Sequence, residues 1–219
     1  MKQLGLIIPA GGVARRFQEG GGGDKLFAIV DGSPLLIKTL RSFRSVSAIV
    51  SCVIAIQPSS HVKLKALLAE EDWPFPVRVV SGASTRRGSV SAAFQCLDTV
   101  DQVMIHDAAR PFLSQDLIMR ILEKGASVSA VIPGLPQTDT IKRVKNGVVI
   151  ETLKRDDVYQ IQTPQLFDYE ILEKAFGDPD EWATDEASLV ERLGEPVYLV
   201  SGDETNIKVT YTSDLKACL

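Results

Sequence analysis

The sequence predicts an α/β fold built on a doubly wound, mostly parallel sheet. Short apolar runs recur in alternation with segments of helical periodicity, and the first run empties into a glycine-rich loop. The 219 residues, 45% hydrophobic and 24% charged, suffice to bury the core of a single domain spanning residues 1–219.

Leu4 to Ile8 is continuously apolar and stops at Pro9, as expected of a strand covered on both faces. Ser33-Pro34 has the form of a helix N-cap and first position, followed by Leu36, Ile37, Leu40 and Phe43 at helical spacing. The alternation continues with a strand over Ala48 to Ile56, a helix over Val62 to Leu68, a strand over Val77 to Val80 and a helix over Ser89 to Leu97. Val103 to Ile105 is a third buried strand, and Ser114 caps a helix carrying Leu117, Ile118, Ile121 and Leu122. After Val131 to Pro133 the period changes. Thr140 to Val144 and Val148 to Leu153 flank Lys145-Asn146-Gly147, the signature of a β-hairpin, with polar groups on much of both faces. A two-stranded ribbon is marginal alone, so the segment about 137–156 is expected to project as an arm that packs on a second subunit. A strand over Val158 to Ile161, a Thr163-Pro164-Gln165 corner, helices over Tyr169 to Phe176 and Asp185 to Leu193, and a strand over Pro196 to Val200 complete the order.

The most informative segment follows the first strand. Pro9, Ala10, Gly11, Gly12 and Ala14 keep the backbone accessible, Arg15 and Arg16 come next, and Gly20 to Gly23 leads to Asp24-Lys25. Backbone N–H groups can approach a phosphate chain there and the cations can neutralise it. Taken alone, such a loop is also compatible with a floppy turn bearing surface arginines; its place after the first strand, together with Lys25, favours phosphate. A P-loop fails because Leu26 follows Lys25, and a dinucleotide fingerprint fails because Gly11-Gly12-Val13-Ala14 lacks the spacing.

These residues, with Arg86 to Ser89, His106 to Pro111, Asp139 to Arg143, Thr163 to Gln165, Asp185 to Ser188 and Asn206 to Thr210, occur in one order along the chain. In that order the chain resembles the sugar nucleotidyltransferase-like family, and within it the 2-C-methyl-D-erythritol 4-phosphate cytidylyltransferases of non-mevalonate isoprenoid synthesis. It departs from their pattern at Ala14, where a glycine is usual, in the length of Gly20 to Gly23, at Asp24 in place of proline, and at Ser84 in place of an acidic residue.

The resemblance implies transfer of CMP from CTP to methylerythritol phosphate, with Arg16, Lys25 and Lys208 stabilising charge in the transition state. Lys208 is expected at the end of the last long strand. Pro9, Ala10, Gly11, Gly12, Ala14, Asp107 and Ala108 are implied on the nucleotide, with Gly82, Ala83 and Ser89 at the cytosine and ribose. Asp107, Arg110, Thr140, Arg155 and Thr163 are implied at the acceptor. Mg²⁺ is expected, held mainly by the CTP phosphates, and His106 is expected to be structural. Asp185 and Glu186 could suggest a metal cage, but acidic residues opening a helix are read as capping. The runner-up acceptor is another polyol phosphate, such as ribitol 5-phosphate; a non-catalytic nucleotide-binding module is the alternative from a different class.

A net charge of -4 supplies no global basic field for nucleic acid or an anionic membrane. Cys52, Cys96 and Cys218 are far apart and odd in number, so neither a disulfide framework nor, with His61 and His106 beside them, a zinc cluster is expected. The first residues are too short an apolar run for a signal segment or membrane span, which gives a cytoplasmic expectation.

Overall fold

The computed structural model describes residues 2–12, 17, 24–177 and 183–218. An eight-stranded sheet contains β1 (Leu4–Ala10), β4 (Ile49–Ile56), β5 (Val77–Ser81), β6 (Gln102–Ile105), β7 (Ala130–Pro136), β10 (Tyr159–Ile161), β11 (Gln165–Asp168) and β12 (Tyr198–Ser201). β1 pairs in parallel with β4 on one side and β6 on the other, and β5 lies beyond β4. β12 runs parallel to β7, whereas β10 and β11 run antiparallel to it, as β11 does to β6. The mostly parallel sheet expected from the sequence is therefore present.

Alternate residues of the central strands feed two cores. Leu4, Leu6 and Ile8 face one and Ile7 the other; Cys52, Ile54 and Ile56 face the first, Val53 and Ala55 the second. Helices α1 (Leu35–Arg41), α2 (His61–Ala69) and α4 (Gln115–Gly125) supply the first core through Leu36, Leu64 and Ile118. Helices α3 (Arg86–Phe94), α5 (Tyr169–Phe176) and α6 (Ala187–Arg192) supply the second through Val90, Leu172 and Leu189. Covering both faces is what lets the strands be apolar on both sides. Among the described residues, no helix is long and apolar enough to cross a membrane.

Several local expectations are corrected. Ser33-Pro34 is not a cap: it pairs as β3 with β2 (Ile29–Val30), and Ser33 Oγ instead accepts from Arg41 Nη1 at 2.6 Å. α3 starts a turn before Ser89, because Thr85 caps it by accepting the Gly88 N–H at 3.0 Å. The corner after Thr163 opens into β11, whose single alternation was too short to separate from a turn. Lys208 does not end a strand. The segment around it makes no ladder and is held to the turn after β6, Val209 N–H donating to Ala109 O at 2.9 Å.

The hairpin is present as β8 (Ile141–Lys145) and β9 (Val148–Leu153). Asn146 and Gly147 adopt φ of 50° and 77° at its turn, as an Asn-Gly hairpin requires. Its faces are less polar than the sequence suggested: Val144, Val148, Val149 and Ile150 are 53%, 63%, 55% and 57% exposed.

Candidate active site

The chain runs from β1 outward to β4 and β5, then returns to the opposite side of β1 as β6. That reversal opens a crevice beyond the carboxyl ends of β1 and β6, the usual ligand position in such sheets. A cavity of about 340 Å³ lies there, lined by the Pro9 to Gly12 loop, Asp24 to Leu26, Gln57, Arg86, Asp107 to Ala109 and Lys208.

Asp107 sits at the centre. Its Oδ2 lies 2.7 Å from Lys208 Nζ and 3.8 Å from Arg110 Nε, and its Oδ1 lies 3.1 Å from Arg86 Nε. Burial alone would favour the neutral acid, yet Arg86 and Lys208 outweigh it and hold the carboxyl well below its usual range. Arg86 Nη1 also lies 2.8 Å from both carboxylate oxygens of Glu186. Burial works against the charge on Arg86, but Glu186 and Asp107 reverse that effect and raise its pKa. For Glu186 burial dominates and raises the pKa, with Arg86 opposing it.

The backbone beneath is fixed by side-chain hydrogen bonds. Thr39 Oγ1 donates to Ala108 O at 3.0 Å, tying the turn to α1. Neutral His106 can donate only from Nε2 to Arg110 O at 3.1 Å, so its Nδ1 accepts the Thr163 hydroxyl at 3.1 Å. That hydroxyl in turn accepts the Asp107 N–H at 3.0 Å. Asn206 Nδ2 donates to Thr163 O at 2.8 Å, and Arg110 Nη1 donates to Asn206 O at 2.7 Å. Lys25 Nζ donates to Val209 O at 3.1 Å, so the first loop's lysine and the Lys208 segment meet at one residue.

Of the residues expected on the nucleotide, Pro9, Ala10, Gly11, Gly12, Asp107 and Ala108 line the cavity, as do the cations Lys25 and Lys208. Arg16 and Ala14 lie outside the described residues. Gly82, Ala83 and Ser89 are not among the lining residues. Ser89 is fully buried, accepting the Ala83 N–H at 3.0 Å and donating to Thr85 O at 2.9 Å, and thereby fixes the loop behind Gly11. A Cβ on Gly11 would fall 2.5 Å from Ser89 Oγ, so glycine is what permits this close approach. Arg110 and Thr163 are buried behind Asp107, and the Thr163 hydroxyl is fully engaged there. Thr140 and Arg155 are exposed on the arm, Arg155 Nη1 donating to Thr138 O, and neither lines the cavity.

From the sequence Arg86 entered only as part of the Arg86 to Ser89 motif, Glu186 only as a helix-opening acid, and Gln57 not at all. Gln57 Nε2 donates to Gly11 O and pins the loop. Arg86 carried a signal: a cation in the first turn of a helix opposes the dipole, which asks for a compensating anion. Glu186 is that anion, and it corrects the capping expectation for this residue. The expectation does hold for Asp185, whose Oδ1 accepts the Ser188 N–H at 3.1 Å.

An α/β sheet with a cation-walled crevice at its switch point, opening onto a glycine-rich loop, defines a protein that handles a phosphorylated ligand of the nucleotide kind. Comparison with known proteins narrows the class. The family model described as 2-C-methyl-D-erythritol 4-phosphate cytidylyltransferase (IspD) matches residues 4–218. The curated enzyme of that name from Acidobacterium capsulatum is 37% identical over 96% of this chain and 93% of its own length, and the one from Bacillus cereus ATCC 10987 gives the same figures. The crystal structure of 4-diphosphocytidyl-2C-methyl-D-erythritol synthase from Anaerococcus prevotii superposes with a TM-score of 0.84 at 30% identity, covering 99% of this chain and 96% of that one. The Thermus thermophilus cytidylyltransferase gives 0.77 at 31%, covering 99% and 97%. The chain belongs to the 2-C-methyl-D-erythritol 4-phosphate cytidylyltransferase family, and so is an enzyme of the nucleotidyltransferase class.

His106 generates a pH prediction. Burial lowers its pKa to about 4, against an ordinary value of 6.5. Between these values the unfolded chain binds the proton and the folded one does not, so this contribution to stability is present above about 6.5 and is lost as the pH falls towards 4. The gap corresponds to roughly 3 kcal/mol. Urea unfolding of the unmodified chain and of His106→Gln across that range should show the steeper loss in the unmodified chain; parallel curves would contradict the assignment.

Proposed function

We propose that this enzyme transfers CMP from CTP to 2-C-methyl-D-erythritol 4-phosphate and releases pyrophosphate, acting as a cytoplasmic homodimer. The observation that carries the reading is the convergence of Lys25, Arg86 and Lys208 on one cavity beside the β1 loop. An oxygen of the acceptor phosphate attacks the α-phosphorus of CTP and the bond to the bridging oxygen of pyrophosphate breaks. The nucleophile is already an anion, so no strong general base is required. The barrier is electrostatic: charge gathers on the α-phosphate oxygens and on the departing pyrophosphate, and positioned cations stabilise it there. Lys25 and Lys208, with Arg16 from the adjoining loop, take that role, and the Gly11-Gly12 backbone approaches the phosphates.

The cavity's carboxylates indicate how Mg²⁺ would be held. Asp24 is engaged with Leu26 N–H and the Ser60 hydroxyl, and Asp107 with Lys208 and Arg86. Such a donor set fits Mg²⁺ that would arrive on the triphosphate and keep phosphate and water ligands, with Asp107 as the carboxylate that would help hold it. Bound there, the ion would neutralise triphosphate charge.

The arm is the reason for proposing a dimer. Its exposed valines and Ile150 put apolar groups on a ribbon that is marginal by itself. In this reading Thr140 and Arg155 on one arm complete the acceptor side of the partner's cavity, where Asp107 and Arg110 stand. Thr163 serves the acceptor indirectly, by fixing His106 and the Asp107 backbone.

Pyrophosphate release should therefore require CTP, Mg²⁺ and methylerythritol phosphate together. Turnover only with ribitol 5-phosphate would reassign the acceptor, and turnover with neither would leave a binding module. Lys25→Ala should lower turnover by about 10²- to 10³-fold, with a smaller change in CTP affinity. Near-normal turnover would reduce the loop to a nucleotide clamp. For the shared pocket, Arg155→Ala and Lys25→Ala chains, each nearly inactive, should regain activity when mixed under subunit exchange, since some heterodimers then hold one intact pocket. A verified heterodimer without recovery would return Arg155 to its own chain's site.

A further inference from the structure

Glu186 belongs to the cluster but does not line the cavity. It is 1% exposed, precedes α6, and directs both carboxylate oxygens at Arg86 Nη1. A carboxylate this deep is costly to retain, and pairing compensates that cost only when the geometry is good. Here the pairing divides Arg86 between two acids. With Nη1 committed to Glu186, Arg86 meets Asp107 through Nε on Oδ1, while Oδ2 carries Lys208 at 2.7 Å. A guanidinium released from Glu186 can instead take a carboxylate with two parallel N–H groups, the arrangement arginine favours. On Asp107 that fork would claim Oδ2 and displace Lys208.

We infer that Glu186 is a positioning residue for nucleotidyl transfer: it holds Arg86 to one oxygen of Asp107 and so reserves the other for Lys208. The inference rests on the proposed CMP transfer. Glu186 touches no substrate and acts only through Arg86. Two elements distant in sequence, the start of α3 and the start of α6, thereby set the reach of a lysine near the carboxyl terminus.

The test is a double-mutant cycle on the full chain, with turnover expressed per folded active site and CTP affinity measured separately. Glu186→Gln keeps the volume and removes the charge; it should lower turnover by about 10- to 10²-fold, the scale expected when a reacting group is displaced by about an ångström. CTP affinity should change far less. In an Arg86→Ala background the same substitution should change turnover by less than about twofold, because the group through which it acts is gone. Equal losses in both backgrounds, or unchanged turnover per folded site in Glu186→Gln alone, would overturn the inference. If the Gln chain does not fold, Glu186→Asp, which keeps the charge but shortens the reach, enters the same cycle with the same criteria. An unmodified chain that fails to transfer CMP would instead refute the reaction itself, separating the two failures.

Discussion

A carboxylate buried at the end of a central strand has to be surrounded by cations, and the architecture of this protein around its crevice follows from that requirement. Asp107 lies two residues beyond the end of β6, and its partners, and theirs in turn, must be delivered to it. Arg86 comes from α3, Arg110 from the next turn, and Lys208 from a segment without regular structure. α3 precedes β6 in the chain and the Arg110 turn follows it, whereas the Lys208 segment comes from far along the sequence. The carboxylate thus acts as a folding constraint as well as a site, for removing one partner would leave charge unpaired in a place water barely reaches.

The balance of the cluster explains how a chain of net charge -4 can receive an anion. Three cations, Arg86, Arg110 and Lys208, face two carboxylates, Asp107 and Glu186, and Lys25 adjoins the Lys208 segment through Val209 O. The local excess is positive although the protein as a whole is not. Lys208 is also the most exposed member, its side chain 43% accessible against 10% for Asp107. In the proposed reaction an incoming phosphate would compete with Asp107 for this lysine.

The sequence made the sheet legible because its strands are covered on both faces, which writes continuous apolar runs into β1, β4 and β6, and because Asn146-Gly147 demands one kind of turn. The lining of the cavity was legible where backbone and charge coincide, from Pro9 to Gly12 and at Lys25, Asp107 and Lys208. What escaped had no local signature. β11 is four residues long and antiparallel, so one alternation had to stand for a strand. Ser89 and Thr163 carry hydroxyls that suit a ligand equally well, and only their burial shows that protein groups use them. Glu186 looked like a helix-opening acid because its partner lies a hundred residues away.

Thr163 shows how such a substitution of roles can leave function intact. Its hydroxyl accepts from the Asp107 N–H and donates to His106, whose other nitrogen donates to the Arg110 carbonyl. The chain of bonds encircles the Asp107 to Arg110 turn and leaves no ring nitrogen or hydroxyl of its members to solvent. Burial keeps His106 neutral through the physiological range, which keeps its Nδ1 available as the acceptor that Thr163 requires. A charged imidazole would have a donor at both nitrogens, so the Thr163 oxygen would have to accept from Nδ1 and from the Asp107 N–H together and its own proton would lose its acceptor. The orientation of the carboxylate in the crevice is therefore tied, through two hydrogen bonds, to the protonation state of a histidine that no ligand touches.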